Sequence, residues 1–122
     1  MEKSESIYKQ HAENSDWLNR VAFYNEEIII LNQLLSEIAN KNSRDEALKD
    51  VEHYQNQFII QKNNLDELAH NIRINEQKLQ HEIATNPVAV DHRKTEYHQA
   101  EKEFLEYFEN NFNSLRKDFK LF

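Results

Sequence analysis

Glycine is absent from all 122 residues, and cysteine is absent with it. A Walker loop, a Rossmann fingerprint and a glycine-dependent tight hairpin each need a residue that tolerates positive φ or close backbone approach. All three are therefore excluded, and with them most classes of nucleotide enzyme. The lack of cysteine removes disulfides, thiolate zinc sites, iron–sulfur clusters and cysteine nucleophiles, although it does not fix a compartment. Proline occurs once, at Pro87. No apolar run approaches the length of a membrane span, so no membrane partner is expected. Met1-Glu2-Lys3-Ser4-Glu5 leads into polar sequence rather than a signal peptide, and a cytoplasmic location is the expectation.

Excess basic charge is also missing. The net charge is −7, and acid outnumbers base in each third of the chain. Such a chain repels duplex nucleic acid unless its cations cluster. The one small cluster, Arg116, Lys117 and Lys120, is placed to complement the negative dipole end of a last helix. Serines are few, in cap or surface positions, and no serine–histidine–acid arrangement has a pocket to serve. No paired carboxylates lie in an evident apolar cavity. The expectation is a non-enzymatic protein without a cofactor.

What the chain has is helical periodicity. With 39% hydrophobic and 30% charged residues, it can bury one thin core, which fits a single domain over 1–122. Val51, Phe58, Leu65, Ile72 and Leu79 recur every seven residues, as in a helix packed along a seam. Ser43-Arg44-Asp45-Glu46 opens that stretch with the spacing of a capping box, and Asn86-Pro87 closes it. Before it, Trp17, Val21, Tyr24, Ile28, Leu31, Leu35 and Ile38 step by four and three up to an Asn42 cap. Ser15-Asp16 offers a second start signal, so this helix begins near residue 5 or breaks near 14–16. After Pro87, with Asp91 as a later candidate start, Tyr97, Ala100, Phe104, Phe108, Leu115 and Phe119 form an aromatic stripe, with Tyr107, Phe112 and Phe122 beside it. The fold expected is all-α: an elongated antiparallel bundle of three long helices over about 5–41, 44–85 and 87–119.

Some apolar residues fall off these seams. Phe23 and Ile30 lie on the back of the first helix, and Ile60 and Ile74 at outward positions on the second. Their spacing of seven and fourteen residues suggests a second buried face, which a homodimer or a helical partner protein would cover.

Six histidines and many carboxylates invite a metal reading. Glu67-x-x-His70 has the spacing of a carboxylate-bridged di-iron pair, but its phase opposes Phe58, Leu65 and Ile72, which makes it a solvated face. Folding the chain about turns near 43 and 86 makes a better cluster. It brings Gln10, His11, Asn14, Glu76, His98 and Glu101 to one end of the bundle. Two imidazoles and two carboxylates, His11, Glu76, His98 and Glu101, can ligate zinc or iron, or can form a hydrogen-bonded polar layer. The metal site is the alternative to the non-enzymatic, self-associating scaffold.

Overall fold

A computed structural model describes residues 7–41, 45–85 and 95–122 of the chain, and these are almost entirely helical. They form α1 (Ile7–Lys41), α2 (Asp45–Thr85) and α3 (Thr95–Leu121). At 1.5 Å per residue the helices are roughly 50, 60 and 40 Å long. The capping box at 43–46, the Asn42 cap, the Asn86-Pro87 reversal, the Asp91 start and any helix over 87–94 lie outside the described residues, as do the side chains of Ile83 and Tyr97. No described helix is long and apolar enough to cross a membrane.

Side-chain pairs fix the directions of the helices. On α1 and α2, His11 meets Glu76 while Ile28 and Ile29 lie beside Phe58 and Ile59, so one number rises as the other falls. The same holds for α2 and α3, through Asn75 with Glu101 and Tyr54 with Phe119. Both neighbouring pairs are antiparallel. Consequently α1 and α3 are parallel, with Glu13–His98 and Tyr24–Glu109 both 85 residues apart and Glu27–Arg116 89 apart.

The core follows the seams. Val51, Phe58, Leu65, Ile72 and Leu79 are all buried, as are Trp17, Val21, Tyr24, Ile28, Leu31 and Leu35. Helix α1 has no break at 14–16. Asn14 spends its side-chain amide on Glu76 of α2 instead of capping its own backbone, and Asp16 pairs with Arg20 one turn on at 3.3 Å, which supports a continuing helix. On α3, Phe108, Leu115 and Phe119 are buried as expected, and Phe104 packs partly buried against the core. Leu105 and Phe112 are fully buried, whereas Ala100 and Tyr107 are exposed, because this helix packs on both α1 and α2. It also runs two residues beyond 119, and the Phe122 amide donates to the Phe119 carbonyl at 3.1 Å.

The two ends of the bundle differ in chemistry. Where α1 and α3 finish and α2 begins, Tyr54, Phe58, Phe119 and Phe122 interlock, with Phe58 and Phe119 edge to face at 5.4 Å and Tyr54 and Phe119 at 5.2 Å. Midway, the Tyr24 ring stands edge-on to both Phe108 and Phe112, at 5.3 Å from each. Such pairs add about 0.5–1.5 kcal/mol each beyond the area they bury. The opposite end is polar.

Candidate functional site: a polar layer at one end

Two turns of α1, from Gln10 to Trp17, supply most of the layer. Gln10, Asn14 and Trp17 share its buried face, while His11 and Glu13 flank them on either side. Helix geometry then separates the partners: positions 11 and 14 look toward α2, and 13 and 17 toward α3.

Glu76 of α2 is the hub of the α1–α2 side. It accepts from His11 Nδ1, from Asn14 Nδ2 at 2.9 Å and from Gln80 Nε2 at 2.9 Å. Against a carboxylate oxygen the facing imidazole nitrogen carries the proton and donates. His11 is half open to water, which screens this pair and keeps its contribution small. On the α1–α3 side, His98 is buried. Its Nε2 donates to Glu13 Oε1 at 2.7 Å, and its ring stacks on Trp17 with centroids 4.4 Å apart.

Glu101 sits between α2 and α3 and is only 7% exposed. Asn75 Nδ2 donates to its Oε1 at 2.5 Å, and its Oε2 is buried with no partner. Burial pushes this carboxyl up from 4.5 to about 7, against the opposing pull of the Asn75 hydrogen bond. The buried Asn14 Oδ1 likewise has no donor. The layer is thus short of donors, a deficit that a protonated carboxyl relieves by becoming one.

The six residues expected at this end do assemble there, but as separate pairs. His11 belongs to Glu76, His98 to Glu13 and Glu101 to Asn75. Among the described residues no three histidine, cysteine, aspartate or glutamate side chains are arranged to hold a metal ion. His11, Glu76, His98 and Glu101 therefore do not converge as one ligand set. Glu67 and His70 are both exposed, on the solvated face their phase implied. The sequence reading missed Glu13. Its signal was a second stripe on the first helix, Glu13, Trp17, Arg20, Tyr24, Glu27 and Leu31, stepping by four and three beside the main seam. That stripe faces α3: Arg20 and Tyr24 reach Glu109, at 3.5 and 2.8 Å, and Glu27 accepts from Arg116 at 2.5 Å.

The outward apolar residues divide. Phe23, Ile30 and Ile60 are exposed as expected. Ile74 is not outward. It is half-buried in a groove between α2 and α3 with Asn71, Asn75, Ala100 and Phe104. Two apolar residues not singled out, Ile29 and Ile59, are exposed together along the α1–α2 groove, and Leu34 is exposed in line with Phe23 and Ile30. No protein-family model matches the chain, and neither a curated protein nor a solved structure shows significant similarity to it.

Proposed function

We propose that this protein is a non-enzymatic helical interaction protein that associates with a second copy of itself through the outer stripe of α1. One observation carries the reading. Phe23, Ile30 and Leu34, spaced by seven and four, run down a single line of α1 and are 56%, 49% and 45% exposed. Large apolar side chains scattered singly on a surface are ordinary. Three on one helical stripe, with Glu26 and Glu27 in the turn between Phe23 and Ile30, make an apolar track whose burial in a homodimer is favourable by about 25 cal/mol per Å². Ile74, half-buried beside α3, does not belong to that track, and Ile60 lies on another helix.

Sedimentation equilibrium or light scattering across a concentration series tests this. The wild-type chain is expected to reach twice the monomer mass. Phe23→Glu and Ile30→Glu are each expected to give a monomer with an unchanged helical circular dichroism spectrum, because both positions are already in water in the single chain. A wild-type protein that stays monomeric at millimolar concentration refutes the proposal.

A further inference from the structure

Among the described residues Glu101 is the only acid buried to more than nine-tenths, and it borders a groove that is open to water. The groove runs between α2 and α3 with a volume of about 370 Å³, within the range of pockets that hold small molecules. Ile74, Ala100 and Phe104 give it apolar walls, Asn71 and Asn75 line it one turn apart on α2, and Lys78 stands exposed at its rim. None of the described residues of α1 lines it, so it is separate from the stripe proposed for self-association. We infer that this groove binds a small apolar amino acid, with its ammonium against Glu101, its carboxylate against Lys78 and its side chain along Ile74 and Phe104.

The unmet hydrogen bonding of Glu101 is the reason to expect a ligand. Asn75 supplies one donor, to Oε1, and Oε2 is buried with none. Buried acceptors are rarely left so, because each has given up its water for nothing. Lys78, the one cation lining the groove, makes no bond to that oxygen. The carboxyl torsion is broad, so a modest rotation presents Oε2 to a donor in the groove without moving α3. A neutral donor satisfies the oxygen alone, whereas an ammonium also compensates the charge. Burial has raised this carboxyl to about 7, so its ionised form gains most from a cation around neutral pH. Asn75, its amide spent on Glu101, and Asn71 offer side-chain carbonyls as acceptors for the remaining N–H groups of an ammonium.

Charge balance decides what else the ligand carries. A plain alkylamine meets the buried acid but adds a second cation to a groove that already holds Lys78. A carboxylate on the carbon next to the ammonium answers Lys78 and leaves the filled groove neutral. A carboxylic acid without the ammonium is repelled by Glu101. The apolar walls suit a branched aliphatic side chain.

Matched ligands separate these contacts. L-Leucine is expected to bind the full chain saturably in calorimetric titration and to shift the side-chain amide resonances of Asn71 and Asn75. Isocaproate, which is leucine without the ammonium, is expected not to bind. Isoamylamine, which is leucine without the carboxylate, is expected to bind at least tenfold more weakly. Glu101→Gln retains an acceptor for Asn75 and is expected to weaken leucine binding at least tenfold. Lys78→Gln is expected to abolish the preference for leucine over isoamylamine. Ala100→Leu fills the groove from an exposed position and is expected to abolish binding with the helical circular dichroism unchanged. Leucine that does not bind at tens of millimolar, or that binds Glu101→Gln or Ala100→Leu as it binds wild type, overturns the site. Isocaproate or isoamylamine binding as tightly as leucine overturns the assignment to an amino acid.

Discussion

Glu101→Gln is expected to stabilise the protein above neutral pH, although it removes a charged group from an acidic chain. In the folded state the carboxyl is buried, one oxygen accepts from Asn75 and the other has no partner, and its pKa rises from 4.5 to about 7. A raised acid pKa means that the folded chain holds the proton more tightly than the unfolded chain. Stability from this group is therefore greatest below pH 4.5, falls as pH rises from 4.5 to about 7, and is flat beyond. The full fall corresponds to about 3 kcal/mol at most, because the carboxyl borders the open groove between α2 and α3 and water there screens it in part. Glutamine mimics the protonated form: its carbonyl oxygen still accepts from Asn75, and its amide supplies a donor to a layer that is short of them. The two proteins are expected to unfold at similar urea concentrations near pH 4.5, and the variant to be more stable by up to about 3 kcal/mol at pH 8. Urea denaturation at fixed protein concentration, followed by circular dichroism and Trp17 fluorescence, measures this. The histidine pairs are the same in both proteins and cancel in the difference. An unchanged pH slope in Glu101→Gln, or a variant less stable than wild type at pH 8, would refute the reasoning.

The aromatic end supports a second prediction. Phe58→Ala removes a fully buried ring with partners in Tyr54 and Phe119, and is expected to cost about 3–5 kcal/mol by urea denaturation; a loss below about 1 kcal/mol contradicts the packing described. Tyr24 makes a third case. Burial, followed by its hydrogen bond to Glu109, raises its phenol from 10.0 to about 12, so the stability it lends is complete below pH 10 and lost as pH climbs toward 12. Burial raises the Tyr54 phenol too, so absorbance titration is expected to find a late-ionising fraction among the five tyrosines, from which Tyr24→Phe removes the part that ionises near pH 12.

Much of this fold was legible in the sequence because helix formation is a local matter. A stretch with no glycine, no interior proline and apolar residues every three or four positions buries the same face whatever it packs against, and Val51 through Leu79 lie in the core as their spacing required. The polar end was legible for a related reason: antiparallel helices joined by short connections carry residues at equal offsets to the same level, which brought His11 near Glu76.

The pairings within that level were not legible, because they depend on rotations and sub-turn shifts that spacing does not encode. Glu13 rather than Glu101 receives His98, since α1 turns position 13 toward α3 while Glu101 faces Asn75 of α2. Ser15-Asp16 looked like a helix start, yet α1 runs through it unbroken. Ile74 looked outward until α3 was seen to lie alongside it. The sequence by itself determined three amphipathic helices and which face of the first two is apolar, since these follow from backbone sterics and a repeat near 3.6 residues. Only the tertiary structure decided which polar groups meet, which carboxyl has its pKa raised by burial and which apolar stripe is left in water, because each depends on what a neighbouring helix places against it.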